Sequence, residues 1–120
     1  MSKKVFIFDD NRDILDLCTL ILEGAGYETK TSSTSNDIIT QVSAYEPDII
    51  LMDNWLPDVG GIEATQELKK HPAYKHIPVV YFSANNDIKS LAETAGAESY
   101  LSKPFDIDEL EAKVVSLIGK

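Results

Sequence analysis

The sequence predicts an α/β protein with a doubly wound parallel sheet of five strands, built from five βα units. Short apolar runs recur along the chain, and patterns typical of amphipathic helices separate them. The clearest runs are continuous rather than alternating, which is typical of parallel strands buried on both faces. Successive βα units join through right-handed crossovers and place helices on both sides of the sheet.

Three strands are clear from the sequence, and two are weaker. Val5–Phe8, Ile49–Met52 and Val79–Phe82 are uninterrupted apolar runs. Tyr27–Thr31 and Ser99–Leu101 contain polar residues, but their positions between helical patterns favour strands. We therefore expect five strands, each followed by a helix.

Apolar stripes and end signals predict the first two helices. The first has a stripe that we expect to face the core, formed by Ile14, Leu17, Cys18 and Ile21. Gly24 and Gly26 end it, because glycine is common just past a helix C-terminus. Ser35 is a candidate N-cap for a second helix, whose apolar residues are Ile38, Ile39 and Val42.

The last three helices follow from similar signals. We expect a third helix over Gly61–Lys70 and a short, weak fourth over Ile88–Thr94, ended by Gly96. The fifth begins at a capping-box spacing formed by Asp106 and Glu109, with Asp in place of Ser or Thr. Its apolar residues are Leu110, Val114, Leu117 and Ile118.

The composition limits the classes of function. With 120 residues and 43% hydrophobic content, we expect residues 1–120 to form one domain, without room for an output domain. The net charge of −9 disfavours binding to nucleic acid or to an anionic membrane surface. The only cysteine, Cys18, excludes an internal disulfide and suits a cytoplasmic setting, where we expect it to be buried. The run Val5–Phe8 is too short for a signal peptide or a membrane span.

Polar side chains follow four of the predicted strands. Asp9 and Asp10 follow the first strand, Asp53 the third, Ser83 the fourth and Lys103 the fifth. Because the carboxyl ends of parallel strands meet at one edge, we expect these side chains to share a crevice.

Three carboxylates in one crevice predict a cation. Two like charges 4 Å apart repel by about 4 kcal/mol at an effective dielectric of 20. Such a pocket either raises a pKa or binds a positive ion. An all-oxygen site with few protein ligands suits Mg²⁺, which Mn²⁺ can replace, and the lack of thiolate and imidazole disfavours zinc.

A metal beside a carboxylate and an ammonium group is suited to phosphoryl transfer. That reaction depends mainly on positioning and on charge neutralisation, and an Asp carboxylate can be its nucleophile. We predict that Asp53 attacks while Lys103 and Ser83 hold phosphoryl oxygens. The first βα turn, residues 9–11, has no glycine, which disfavours a dinucleotide site or a P-loop.

Taken together and in order, these residues resemble the receiver domain of two-component response regulators over essentially the whole chain. The motifs are Phe8–Asn11, Leu51–Asp53 with Pro57 four residues on, Ser83–Ala84, and Lys103–Phe105. The resemblance implies a flavodoxin-like fold with strand order 2-1-3-4-5. It also implies a conformational switch that accepts a phosphoryl group from a histidine kinase or histidine phosphotransfer protein and acts on a downstream protein effector. No turnover of an external substrate is expected beyond its own phosphorylation and slow autodephosphorylation.

The resemblance also implies roles for the residues of the crevice. Asp53 matches the phosphoacceptor, and Asp9 and Asp10 match the metal-binding pair, one of which can act through water. The backbone carbonyl of Trp55 matches the remaining protein ligand to the metal. Lys103 matches the lysine that pairs with the phosphoryl group.

Further roles concern the switch and its partners. Ser83 matches the hydroxyl that moves toward the phosphoryl group, and Tyr100 the aromatic residue that swings inward with it. The Lys103–Pro104 peptide bond matches the family's cis peptide. Two surfaces are expected to dock partners: Ile14 with Pro104 and Phe105 for the phosphoryl donor, and Ile88, Leu91 and Tyr100 for the output. The resemblance is compatible with a monomer or a phosphorylation-dependent dimer.

Two features depart from the common pattern of the family. Trp55 lies where smaller or polar side chains are frequent, and we hypothesise that its ring overhangs the site and slows hydrolysis of the acyl phosphate. Gly60-Gly61 stands where Asp-Gly is also found, and glycine there permits a tight turn into the third helix.

Two other classes of protein share parts of this pattern. A phosphohydrolase of the haloacid dehalogenase type also uses a nucleophilic Asp, but that Asp follows its first strand and a cap domain is usual. An assay with a generic phosphomonoester distinguishes it. A flavodoxin-like FMN carrier requires a Ser/Thr/Gly-rich first loop, and a colourless protein would disfavour it.

Overall fold

Strands and helices alternate along the whole chain. The computed structural model describes residues 2–56 and 59–119. The strands are β1 Lys4–Phe8, β2 Glu28–Ser32, β3 Ile49–Asp53, β4 Val79–Ser83 and β5 Ser99–Ser102. The helices are α1 Arg12–Gly24, α2 Ile38–Tyr45, α3 Gly61–Lys70, α4 Ile88–Ala95 and α5 Ile107–Ile118. The predicted βα repeat is therefore confirmed.

The five strands form one parallel sheet in the order β2-β1-β3-β4-β5. Phe8 lies opposite Met52 in the register of β1 with β3, and Asp53 lies opposite Phe82 in the register of β3 with β4. The carboxyl ends of the three central strands therefore lie side by side. This order, which the resemblance implied, brings Asp9 next to Asp53.

The sheet is covered on both faces. Helices α1 and α5 pack on one face, where Cys18, Leu22 and Val114 are buried against β1, β3 and β4. Helices α2 and α3 cover the other face with α4, which packs on Tyr81. Burial on both faces explains why the central strands read as continuous apolar runs. Burial also raises the pKa of the Cys18 thiol to about 12, so this cysteine behaves as a small apolar residue.

Most element boundaries agree with the sequence prediction. Helix α3 spans the predicted residues, α4 is one residue longer than predicted, and Gly96 ends it in the left-handed conformation. The capping box of α5 is present: Asp106 accepts from the backbone N–H of Glu109 at 2.8 Å, and Glu109 accepts from that of Asp106 at 3.1 Å. Strand β2 lies one residue later than predicted.

Two local predictions were wrong. Leu17 is 40% exposed and does not face the core; Leu15, Cys18 and Leu22 form the buried stripe instead, together with Ile21. Ser35 does not cap α2, because its buried hydroxyl donates to the carbonyl of Val59 in the loop before α3. A serine can satisfy its hydroxyl on any nearby backbone group, so its place before a helix does not determine its partner.

Among the described residues, no helix is long and apolar enough to span a lipid bilayer.

Candidate functional site

A cleft lies at the carboxyl edge of the sheet, and its charged groups are in direct contact. The ammonium group of Lys103 donates to a carboxylate oxygen of Asp9 and to one of Asp53, each at 2.8 Å. Asp9 is wholly buried and Asp53 is 4% exposed. One lysine therefore joins the ends of β1 and β3 from the loop after β5.

Asp10 completes a group of three acidic residues. Each of Asp9, Asp10 and Asp53 offers a carboxylate oxygen, and these oxygens lie within 4.8 Å of one another. The cleft, of about 400 Å³, is lined by oxygen and nitrogen donors, with neither thiolate nor imidazole among its described lining residues. Its donor chemistry therefore fits a hard divalent cation such as Mg²⁺.

Backbone groups fix the orientation of the two buried carboxylates. The second oxygen of Asp9 accepts from the backbone N–H of Asn11 at 2.9 Å, and the amide of Asp9 donates to Ser32 in β2 at 3.1 Å. Asn11 in turn caps α1 by accepting from the first amides of that helix. The second oxygen of Asp53 accepts from the backbone N–H of Trp55 at 3.1 Å. The capping of α1 and the turn after β3 thus aim both carboxylates at Lys103.

The comparison with protein families agrees with this geometry. The model of the family described as the response regulator receiver domain matches residues 5–115. This chain belongs to the response regulator receiver domain family. Neither the comparisons nor the site favours the phosphohydrolase or flavin-carrier alternatives.

Relatives of the receiver domain include both small and large proteins. The polar-differentiation response regulator DivK of Brucella ovis is 33% identical, over 99% of this chain and 98% of DivK. The sensor kinase/phosphatase CqsS of Vibrio cholerae is 31% identical over 98% of this chain, which spans only 18% of that protein. The receiver domain of a sensor histidine kinase from Pseudomonas aeruginosa, with a magnesium ion coordinated in its active site cleft, superposes with a TM-score of 0.90. It covers 100% of both chains at 24% identity, a likeness that supports the fold.

Charge and burial oppose each other in the cleft of this receiver domain. Burial raises the pKa of Asp53 above its ordinary value; the hydrogen bond from Lys103 lowers it, and the nearby Asp9 raises it further. Burial alone would lower the pKa of Lys103, but its bonds to the two carboxylates more than offset this and raise it. Lys103 therefore remains protonated at neutral pH and partly compensates two buried negative charges.

Ser83 and Tyr100, the predicted switch residues, occupy neighbouring strands. Ser83 is the last residue of β4 and lines the cleft, where its hydroxyl oxygen accepts from the backbone N–H of Asn85 at 3.0 Å. Its carbonyl accepts from the backbone N–H of Lys103 at 2.9 Å. Tyr100 lies in β5 opposite Tyr81 and is 38% exposed, so its ring is at the surface in this conformation. The Lys103–Pro104 peptide bond is cis, as the resemblance implied.

The two predicted docking surfaces differ in their exposure. An apolar cavity of about 350 Å³ adjoins the cleft, lined by Ile14, Leu17, Ala84, Lys103, Pro104 and Phe105. The three residues predicted to dock the phosphoryl donor, Ile14, Pro104 and Phe105, all line this cavity. On the output side, Leu91 is half-buried and Ile88 is buried against Tyr81, so Ile88 reaches a partner only if α4 moves. Docking roles for both sets remain predictions.

Three further residues shape the site. Sequence reasoning missed Tyr81 and Asn54, and it understated the importance of Gly61. Tyr81 donates a hydrogen bond from its buried hydroxyl to the side-chain carbonyl of Asn54, the residue after Asp53. Gly61 packs against the backbone of Asp53 so closely that only glycine fits. A polar hydroxyl inside an apolar strand run was the available signal for Tyr81. Pro57, part of the family motif, lies outside the described residues.

Proposed function

We propose that this receiver domain accepts a phosphoryl group on Asp53 from a histidine kinase or a histidine phosphotransfer protein. The observation that supports this most directly is the pairing of Lys103 with both Asp9 and Asp53 in a cleft that also contains Asp10. The proposal places the domain in the cytoplasm. The phosphorylated form then acts on a downstream protein effector, as a monomer or a dimer.

Asp53 is the nucleophile of the proposed reaction. One of its carboxylate oxygens attacks phosphorus; the new O–P bond forms as the N–P bond of phosphohistidine breaks, and the imidazole leaves with the bonding electrons and takes up a proton. The burial that raises the pKa of Asp53 also keeps bulk water away from the attacking oxygen. The backbone N–H of Trp55 holds the second oxygen in place.

Positioning and charge neutralisation together account for most of the catalysis in phosphoryl transfer. Mg²⁺, held by Asp9, Asp10, Asp53 and the backbone carbonyl of Trp55, would supply positive charge to the phosphoryl oxygens. Lys103 already donates a hydrogen bond to Asp53, so its ammonium group can donate to a phosphoryl oxygen on Asp53 without a large movement. Ser83 lines the same cleft and can donate its hydroxyl proton to another phosphoryl oxygen.

The same groups would convert phosphorylation into a switch. The modification adds a charge of about −1.5 to −2 at one point. Ser83 moves toward it, the loop after β4 follows, and Tyr100 turns inward into the space released. A few kcal/mol of differential stabilisation is enough to shift the population. The result is a changed output surface on α4, β5 and α5.

Intact mass measurement tests the phosphoacceptor directly. Incubation with Mg²⁺ and acetyl phosphate or phosphoramidate should add one phosphoryl group to the wild type and none to Asp53→Asn. Asp48→Asn is a matched control, because Asp48 is exposed and lies just before β3, at the end of that strand opposite to Asp53. Equal incorporation in wild type and Asp53→Asn would refute Asp53 as the acceptor, and incorporation unaffected by chelation would refute the metal requirement.

A further inference from the structure

The hydroxyl of Tyr81 connects the loop after Asp53 to the interior beneath α4. Tyr81 is in β4, is 0% exposed, and donates to the side-chain carbonyl oxygen of Asn54. Its partner lies in the cleft between Asp53 and Trp55. A buried strand side chain thus reaches directly into the site.

Asn54 is held from three directions. Its backbone N–H donates to Phe82 in β4 at 2.9 Å, and its carbonyl accepts from the backbone N–H of Gly61 at 3.3 Å. The bond from Tyr81 fixes its side chain. Because Asn54 joins Asp53 to Trp55, these contacts set the position of the peptide units on either side of it, including the turn that leads to the Trp55 carbonyl.

The ring of Tyr81 packs against α4. It forms a buried cluster with Ile88, Ala92 and Ala95, which lie on the inner face of that helix. Helix α4 has eight residues and no side-chain N-cap bond, so much of its stability depends on this packing. One rigid side chain therefore contacts both the cleft loop and α4.

Because the Tyr81 hydroxyl is buried, its bond to Asn54 restricts the movement of both residues. The Tyr81 hydroxyl lies inside the protein, so a movement of Asn54 would leave it without a partner unless the ring followed. A shift of the ring would in turn disturb the face on which α4 packs. The loop and the helix are thus joined through a single hydrogen bond.

We propose that Tyr81 is a positioning residue that couples the metal-binding loop to α4 through Asn54. This inference rests on the proposed function, because the ligand of the loop is the Mg²⁺ of phosphoryl transfer. The coupling is separate from the shift of Ser83 and Tyr100: it acts from the β3 loop and reaches α4 through the interior. Binding of Mg²⁺ should therefore stabilise α4.

Two measurements on the whole chain test the coupling. The fluorescence of Trp55, the single tryptophan, reports Mg²⁺ affinity, and amide hydrogen exchange over residues 88–95 reports the stability of α4. In Tyr81→Phe we expect Mg²⁺ affinity to fall by about three- to tenfold, the range set by one lost hydrogen bond. We expect Mg²⁺ to protect α4 from exchange in the wild type, and this protection to be lost in Tyr81→Phe.

A matched control is available at the opposite edge of the sheet. Tyr27 is also buried, and its hydroxyl donates to the carbonyl of Gly119 at 2.7 Å. Tyr27→Phe removes the same kind of bond far from the cleft, so it should leave Mg²⁺ affinity and α4 protection as in wild type. Asn54→Ala removes the acceptor while every core side chain is kept, and it should reproduce the effects of Tyr81→Phe.

The outcomes separate this inference from the proposed function. If wild type binds Mg²⁺ but Tyr81→Phe and Asn54→Ala bind it equally well and keep the protection of α4, the coupling is wrong and the function stands. If Mg²⁺ binding leaves the exchange of α4 in wild type unchanged, the coupling is also wrong. If wild type binds no Mg²⁺, both the function and the coupling fail.

Discussion

Gly61, the first residue of α3, lies directly against the backbone carbonyl of Asp53. A Cβ placed on Gly61 would be 2.1 Å from that carbonyl oxygen, 3.0 Å from its carbon and 3.2 Å from the Cα of Asn54. These are backbone atoms, so a side chain at this position cannot be accommodated by a rotamer change. The start of α3 and the turn after Asp53 therefore share one tightly packed backbone arrangement.

We expect Gly61→Ala to distort the site as well as the fold. The added methyl group must push the Asp53 turn away from α3, at a cost of about 1–3 kcal/mol as in other overpacked interiors. Phosphorylation of Asp53 and Mg²⁺ affinity should both fall. Urea unfolding, intact mass and Mg²⁺ titration measure the three effects.

Gly24→Ala is the control for that substitution. A Cβ at Gly24 has nothing within 4 Å, and Gly24 is the last residue of α1. Alanine there should be neutral or should stabilise by up to about 1 kcal/mol, because it favours the helix and restricts the unfolded chain. If the two variants behaved alike, the contact between Gly61 and Asp53 would not control the site.

Asp53→Asn should stabilise the protein in the absence of Mg²⁺. Burial disfavours the charged form of Asp53 and raises its pKa, and a carboxylate oxygen of Asp9 within 4.8 Å repels it as well. The hydrogen bond from Lys103 favours the charged form but does not cancel the effect of burial, and Lys103 keeps its bond to Asp9 in the variant. We therefore expect a net gain in the free energy of unfolding. Thermal or urea unfolding at pH 7 measures it.

The same balance predicts a pH dependence. The pKa of Asp53 is higher in the folded protein than its ordinary value of 3.8, mainly because of burial. The folded state therefore holds the proton of Asp53 more tightly than the unfolded state does. The contribution of Asp53 to the free energy of unfolding decreases as pH rises from 3.8 to the higher pKa of the folded state. The advantage of Asp53→Asn should be complete above the folded pKa and should shrink as pH falls toward 3.8. An advantage that grew on acidification would contradict the raised pKa.

Regular patterns allowed most of the fold to be predicted from the sequence. The strands β1, β3 and β4 are buried on both faces, so nearly every residue in them is apolar. The capping box of α5 is local, because the side chain of each of its two members accepts from the other's backbone N–H, three residues away. The co-location of Asp9, Asp53, Ser83 and Lys103 followed from the parallel sheet, where strand ends share one edge.

Long-range packing determined what the sequence did not reveal. Leu17 and Leu15 are chemically identical, and only the rotation of α1 on the sheet decides which is buried. Ser35 bonds to Val59, which is 24 residues away and belongs to another loop. The bond from Tyr81 to Asn54 likewise depends on the register of two strands, which the two residues do not signal individually.

Lys103→Met should leave two buried carboxylates without their shared cation. Breaking a buried ion pair in this way costs about 3–5 kcal/mol, because the remaining charge is uncompensated. Asp53, whose pKa burial already raises, loses the group that stabilises its charged form, so the loss should be largest at neutral pH and smaller in acid. Mg²⁺ should restore part of the stability. Urea unfolding at pH 7 and pH 5, with and without Mg²⁺, measures these effects.

Lys70→Met is the control for the charge change itself. Lys70 is exposed at the end of α3, away from the cleft, and its replacement should change stability by no more than about 0.5 kcal/mol. If Lys103→Met were equally mild at pH 7, the two carboxylates would have to be compensated by a group other than Lys103.

Trp55→Ala should shorten the lifetime of the phosphorylated state. Trp55 lines the cleft although 76% of the residue is exposed, and its backbone N–H donates to Asp53. Alanine keeps that backbone bond and removes only the ring, so a change in rate reports shielding of the acyl phosphate from water. We expect hydrolysis of phospho-Asp53 to accelerate several-fold, as followed by intact mass after removal of the phosphoryl donor. Trp55→Phe, which keeps an aromatic ring, should lie between wild type and alanine; identical decay in all three proteins would show that the ring does not shield the site.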